Sequence, residues 1–400
     1  MKKIKVSVLE FDYHPEVLRN TCKILNNDEF IVHIFTTHKI WNETNININD
    51  FEAQINVDTV ETNKQSIKSF LQNSLKTINN TDTVLINTVA SNYKTYWKTE
   101  FKPPVVLRIH NANAFFNQFY NSIRPKLSLF YIWKDVSHLV RKSILSLDWY
   151  HRKKLINKTD YFAFPNNEIK EYAVNMLNLD PQKALSLPFS FATDTEPAAK
   201  SNQTGTTTIS IIGKVDKRNR DYMTVYEAFK HIQKSSTEIK ENIKLVLLGK
   251  ATSAYGKSIA KKFRQLQNNK FEFIYFDSFV PQETFERIID QTDFFIVPTN
   301  IKTRFAIYEE YYGYTKISGS INDIIRHKKP ALVYADYPLS AALKKITEGY
   351  KNDLDLAEKI KDWINRRKYE KMNIDAALEP MKLHNVQSHY KNTFEKISNS

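Results

Sequence analysis

A single cysteine, Cys22, serves the whole chain, so no intrachain disulfide and no thiolate metal cluster can be assembled from it, and a reducing, cytoplasmic setting fits. Glycine is scarce: there are seven, none of them before Gly205. No G-x-G-x-x-G and no G-x-x-x-x-G-K-[ST] sequence occurs, which argues against dinucleotide-binding dehydrogenases and P-loop NTPases. Nowhere do about 18 uncharged apolar residues run together, as a bilayer-spanning helix requires. The apolar run Ile4 to Leu9 is too short for a signal-peptide core and lacks a small-residue cleavage site, so it reads as a first strand. Zinc-finger spacing, an RNP-like aromatic strand and a long basic arm are all missing, which argues against nucleic acid as a partner.

What is present is a chain of 400 residues with 42% hydrophobic content, enough for two domains with cores of their own. Its 58 basic and 44 acidic side chains give a net charge of +14, which favours polyanionic partners such as nucleotides or phospholipid headgroups.

Short β-rich runs alternate with helical patterns throughout. In the first half they are Ile4 to Leu9, Ile31 to Phe35, Val84 to Ile86, Val105 to Ile109 and Tyr161 to Phe164. In the second they are Ile209 to Ile212, Leu245 to Leu248, Phe273 to Phe276, Phe294 to Val297 and Ala331 to Tyr334. The alternation predicts two α/β, Rossmann-like domains with parallel sheets. The expected boundaries are 1–192 for the first domain, a polar linker at 193–207, 208–380 for the second, and a C-terminal helix at 381–400.

Gly213 and Gly249 each end a predicted strand, at the carboxyl edge where open α/β sheets bind ligands. Lys316-Ile317-Ser318-Gly319-Ser320 opens an apolar helix, where small residues would expose N–H groups. Ser318 reads equally well as a plain helix N-cap. In the first half, His110 directly follows a strand, where a histidine can hydrogen-bond or exchange a proton. Asp12 and His14 lie in the loop after the first strand as candidates for acceptor contacts or base. Asp353-Leu354-Asp355 opens a helix rather than ending a strand, so no metal-binding D-x-D signature stands out.

These features resemble the GT-B glycosyltransferases, especially the large retaining group. The resemblance rests on Ile211-Ile212-Gly213-Lys214-Val215-Asp216-Lys217-Arg218-Asn219, on Leu248-Gly249-Lys250, and on Glu310-Tyr311-Tyr312-Gly313-Tyr314-Thr315-Lys316-Ile317-Ser318-Gly319. The last is similar to a motif of two glutamates separated by seven residues, with Ser318 where the second glutamate would stand. The resemblance implies two domains facing a cleft and sugar transfer from a nucleotide-diphosphate sugar to a glycan or lipid-linked acceptor. It implies that Lys214 and either Lys217 or Arg218 bind the donor diphosphate. In that frame Arg218, Gly213, Gly249, Lys316, Ser318 and Gly319 form the donor side. His110, Asp12 and Glu310 are the catalytic candidates, and neither metal nor further cofactor is expected. The alternatives are a GT-B-shaped nucleotide-sugar epimerase and a non-catalytic GT-B partner subunit.

Between Arg124 and Lys154, eight Lys or Arg stand against two Asp, interleaved with aromatics. Two readings fit: a buried helix with a solvated back, or docking to an anionic membrane surface and peripheral placement at the inner membrane face.

Overall fold

A computed structural model describes residues 3–116, 136–137, 140, 147–193, 205–234, 239–305 and 307–399. Most of the expected linker at 193–207 lies outside the described residues, and so does most of the basic segment from Arg124 to Lys154. Two compact units emerge. Unit 1 comprises Met1–Ser190, Arg304–Glu310 and Leu383–Ser400, and unit 2 comprises Phe191–Thr303 and Tyr311–Lys382. Residues 304–310, inside the stretch expected as one domain at 208–380, therefore count with unit 1.

Unit 1 is built on a seven-stranded sheet. Its strands are β1 (Ile4–Glu10), β2 (Phe30–Thr37), β3 (Gln54–Val60), β4 (Thr83–Thr88), β5 (Val105–Arg108), β6 (Tyr161–Phe164) and β7 (Ala184–Ser186), in the order β3-β2-β1-β4-β5-β6-β7. Every pairing is parallel, so all strand ends that carry loops of one kind fall on one edge. β4 is buried at every position, as a strand covered on both faces must be. The helix Leu383–Ser398 joins this unit through a stripe of buried Val386, Tyr390, Phe394 and Ile397 at helical spacing. Phe394 meets Phe30 edge to face at 6.4 Å, and the Tyr390 hydroxyl donates to the Pro188 carbonyl at 2.7 Å.

Unit 2 holds a six-stranded sheet. It consists of β8 (Thr206–Ile212), β9 (Asn242–Lys250), β10 (Phe271–Phe276), β11 (Phe294–Val297), β14 (Ala331–Tyr334) and β15 (Thr347–Tyr350), in the order β10-β9-β8-β11-β14-β15. These pairings too are parallel. One face packs on Phe229, Phe263, Trp363 and their neighbours, the other on Ile288, Ile324, Leu343 and theirs. Between β11 and β14 the chain forms a two-stranded hairpin, β12 (Lys302–Phe305) and β13 (Tyr308–Tyr311). All ten predicted strands are present. Those not predicted from sequence are the edge strands β3, β7 and β15 and the two strands of the hairpin, β12 and β13. β3 reads Gln-Ile-Asn-Val-Asp-Thr-Val and is mostly solvated, so no apolar run marks it. No helix among the described residues is long and apolar enough to cross a membrane.

Candidate active site

The carboxyl edge of the unit 1 sheet is assembled from side chains. Glu10, the last residue of β1, is fully buried. Its carboxylate accepts the backbone N–H of Asp12 and Tyr13, both at 3.2 Å, and the Thr88 hydroxyl at 2.7 Å. Burial pushes its pKa well above the usual carboxylate range, and those bonds only partly offset this. The Asp12 carboxylate is committed to the loop after β4: Oδ2 accepts from Ala90 N at 2.9 Å and Ser91 N at 3.2 Å, and Oδ1 accepts from the Ser91 hydroxyl. Asp12 thus ties two loops together.

His110 donates from Nε2 to the Asn87 carbonyl at 2.8 Å; because a carbonyl can only accept, Nε2 carries the proton. The ring lies between His14, stacked at 4.6 Å with planes 16° apart, and Phe189 at 5.1 Å. Burial, with a smaller contribution from the His14 charge, pushes its pKa down to about 3. His110 is therefore neutral near pH 7. A neutral ring with Nε2–H committed to Asn87 presents Nδ1 as its remaining hydrogen-bonding atom.

His14 sits at the N-cap position of the helix Pro15–Ile24 with φ 70° and ψ 54°, the left-handed region. For a residue with a Cβ this costs about 1–2 kcal/mol, and such strain gathers at working sites. Its Nδ1 lies 2.7 Å from Glu16 Oε1.

Tyr308, Glu309 and Glu310 bond to the short helix Ala112–Phe116 and to Arg152. Asn113 Nδ2 donates to the Glu309 carbonyl at 2.9 Å, and Ala114 N donates to Glu310 Oε1 at 2.7 Å. Arg152 donates to the Ala114 carbonyl at 2.7 Å and to the Tyr308 hydroxyl at 3.3 Å. Glu310 has no exposed surface, and its carboxylate serves the first turn of a unit 1 helix. Around these groups unit 1 encloses a pocket of about 270 Å³, with His14, His110 and Asn111 on its polar side and Tyr13, Trp149 and Phe305 among its aromatic walls.

Unit 2 builds its strand ends differently. Gly213 has φ 100° and donates to the Leu248 carbonyl at 3.0 Å. A Cβ on Gly249 would overlap the Gly213 carbonyl, so the turns after β8 and β9 approach backbone to backbone. A Cβ on Gly213 would overlap the guanidinium of Arg220, a residue that lies one place beyond the motif Gly213 to Asn219. Arg220 donates to the Lys214 carbonyl at 3.3 Å and to the Ser320 hydroxyl at 3.1 Å, which places its charge at the first turn of the helix Gly319–His327. Its Nε is buried without a partner among the described residues. Asp323, farther along that helix, has its carboxyl pushed up to about 6 by burial, against the lowering charges of Arg326 and Arg220.

Lys214 and Arg218 are exposed. Arg218 reaches the same neighbourhood as Arg220: burial raises the Tyr312 hydroxyl's pKa, and the two arginines both oppose it. Lys316 lies over the Tyr312 ring at 4.9 Å. Ser318 occupies the N-cap position, but its side chain makes no capping bond; its N–H donates to the Tyr337 hydroxyl at 3.2 Å, and its Oγ lies 3.5 Å from Thr299 Oγ1. A Cβ on Gly319 would meet open space. Within unit 2, Gly213, Gly249, Lys214, Ser318 and Gly319 thus gather with Arg220 at the sheet's carboxyl edge and one helix start. Sequence reading missed Arg220; the signal available was a fourth basic residue in the run from Lys214, at the point where the chain turns back to bridge Thr299.

No family model matches the chain, and no curated protein does either. Solved structures do. A glycosyltransferase from Rickettsia africae matches at 13% identity over 99% of both chains with a TM-score of 0.63. Alr3699/HepE of Anabaena, in complex with UDP, matches at 11% identity over 99% of this chain and 100% of that one, with a TM-score of 0.62. A protein of Listeria monocytogenes described as a UDP-N-acetylglucosamine 2-epimerase matches at 13% identity over 99% and 98%, with a TM-score of 0.52. At these identities the likeness establishes the fold: two parallel α/β sheets in one chain, as in GT-B glycosyltransferases.

Proposed function

We propose that this protein is a glycosyltransferase that takes a sugar from a nucleotide-diphosphate donor, held on unit 2, and passes it to a glycan or lipid-linked acceptor. The observation that carries the reading is the Arg220 guanidinium, lodged against Gly213 and bonded to Ser320 at the start of a helix whose first residue, Gly319, faces open space. A fixed cation, a glycine turn and a helix N-terminus together favour a diphosphate. In this reading Lys214, Arg218 and Lys316 add positive charge around it, and Gly249 keeps the approach clear.

On unit 1, His110 supplies a neutral hydrogen-bonding edge, while Asp12 and Glu310 act as positioning residues for the loops that frame the pocket. The resemblance to the retaining group bears on the diphosphate turn. The UDP-bound state of the Anabaena structure supports a uridine nucleotide as the first donor to try.

A thermal-shift series with UDP-, GDP-, dTDP- and CMP-sugars tests the reading, because a ligand at 100 times its dissociation constant stabilises by about 2.7 kcal/mol. Product analysis with the stabilising donor then separates transfer from epimerisation, the reading that the Listeria structure favours. No stabilisation by any of the four would overturn the proposal.

A further inference from the structure

Among the described residues of unit 1, Arg108 is a buried charge whose hydrogen-bond partners are all neutral. It is 2% exposed; Nη1 donates to the Thr21 hydroxyl at 2.5 Å and to Asn87 Oδ1 at 2.7 Å, and Nη2 donates to the Tyr390 hydroxyl. An apolar side chain of similar volume would fill this space without the cost of desolvating a cation. What the guanidinium adds is a rigid fork that holds several polar groups in one arrangement.

We propose that Arg108 and Tyr390 are positioning residues for His110, and that the C-terminal helix Leu383–Ser398 sets the tautomer and tilt of that ring through one buried guanidinium. Two supports meet the ring. The first is Asn87, whose side chain accepts from Arg108 while its own backbone carbonyl accepts from His110 Nε2 at 2.8 Å. A carbonyl held in place keeps the proton on Nε2 and leaves Nδ1 as the accepting nitrogen of a ring that lines the pocket. The second support is Phe189, whose ring centre lies 5.1 Å from that of His110 and 4.9 Å from the Arg108 guanidinium carbon.

Tyr390 serves both supports. Its hydroxyl accepts from Arg108 and donates to the Pro188 carbonyl at 2.7 Å, one residue before Phe189. Asn20 Nδ2 donates to the Phe189 carbonyl at 3.0 Å, and the Thr21 proton goes to the Val17 carbonyl at 2.8 Å, so that Thr21 meets Arg108 as an acceptor. Burial above all disfavours the imidazolium form of His110, and the Arg108 charge acts in the same sense. A purely structural Arg108 would answer to folding alone, whereas a positioning one answers also to the state of the His110 ring.

The assignment rests on the transferase reading only in calling His110 a working group of the sugar-transfer site. Long-range proton–nitrogen correlation NMR of the histidine rings in the full chain reads the tautomer, with His110→Asn to identify the signal. Turnover with the donor that stabilises the protein, and UDP binding by calorimetry, are followed in parallel. Arg108→Lys keeps the charge and loses the fork; Tyr390→Phe removes one hydroxyl and keeps the ring. Ile397→Ala loosens the same helix at a buried side chain two turns beyond Tyr390. The parent should show a single Nε2–H pattern for His110. Arg108→Lys and Tyr390→Phe should shift or mix that pattern and lower kcat about three- to ten-fold, with the donor KM and UDP binding unchanged. Ile397→Ala should lower the melting temperature and leave both the pattern and kcat as in the parent.

A parental His110 pattern in Arg108→Lys and Tyr390→Phe would overturn the proposal, as would a shifted pattern with full turnover, or an equal shift in Ile397→Ala. If Arg108→Lys does not fold, Tyr390→Phe decides by itself. Shifted patterns in a protein that transfers no sugar would leave the coupling standing and remove the transferase reading instead. Unchanged patterns in a protein that does transfer sugar would do the reverse.

Discussion

The two units solve the same problem, the carboxyl edge of a parallel sheet, with opposite materials. After β1, unit 1 fills the edge with side chains: a buried glutamate, an aspartate tying two loops, and a histidine forced into left-handed backbone. After β8, unit 2 strips the edge to backbone: Gly213 and Gly249 leave no room for a Cβ, and one arginine fills the space beside them. A side-chain edge can be shaped to one neutral partner, whereas a backbone edge offers N–H groups and suits an anion whose geometry never varies.

The comparison breaks most severely at Gly249. Gly249→Val drives a side chain into the Gly213 carbonyl, and overpacking of this kind costs about 1–3 kcal/mol or more. We expect a fall of several degrees in melting temperature and complete loss of donor-induced stabilisation. Normal nucleotide response in that variant would refute the backbone-edge description. Next comes Arg220→Ala, where loss of a charge-assisted bond costs about 1.5–3 kcal/mol and should weaken nucleotide-sugar binding roughly 10- to 150-fold by calorimetry. Lys316→Ala should fall below that range, since Lys316 is half-exposed and shares its charge with the Tyr312 ring. An effect larger than that of Arg220→Ala would move the diphosphate towards Lys316.

On the side-chain edge, His110→Asn should lower turnover far more than donor affinity, because the ring belongs to unit 1. It also has a pH signature. A histidine whose folded pKa is about 3, against about 6.5 unfolded, stabilises the fold fully above pH 6.5. That contribution is lost as pH falls through the window, at up to about 1.4 kcal/mol per pH unit. The raised pKa of Glu10 acts in the opposite sense above its unfolded value, so the difference between parent and variant isolates His110. Equal slopes of melting temperature against pH between 6.5 and 4 would show that His110 is not held neutral. The smallest effect should be Asp12→Asn, which keeps an acceptor for Ala90 and Ser91 and should cost about 1 kcal/mol. A larger loss in turnover than in stability would promote Asp12 from positioning to chemistry.

The sheets were legible because the central strands are rich in buried apolar residues, as in Leu245 to Leu248 and Phe294 to Val297, which burial on two faces demands. The edge strand β3 was not, because half of it faces water. The Gly213-Lys214 turn was readable from local spacing, and Arg220 lay one residue past the motif that drew attention to it. Contacts between distant parts of the chain left no mark: nothing near Glu310 announces that its carboxylate serves Ala114, and nothing near Tyr390 announces Arg108. Such pairs are set by tertiary packing, to which neither periodicity nor propensity responds.

The bond between Arg108 and Tyr390 links residues 282 positions apart, and it has a consequence for how the molecule is made. Arg108 is 2% exposed, and three of its neighbours, Thr21, Asn87 and Phe189, are in place early in synthesis. Its remaining cover arrives only with the helix Leu383–Ser398. At about 5–20 residues per second, that helix follows Arg108 out of the ribosome by roughly a quarter of a minute to a minute. Unit 1 is therefore the first to be translated and the last to be sealed, and throughout unit 2's synthesis it waits with a charged residue in its core not yet enclosed.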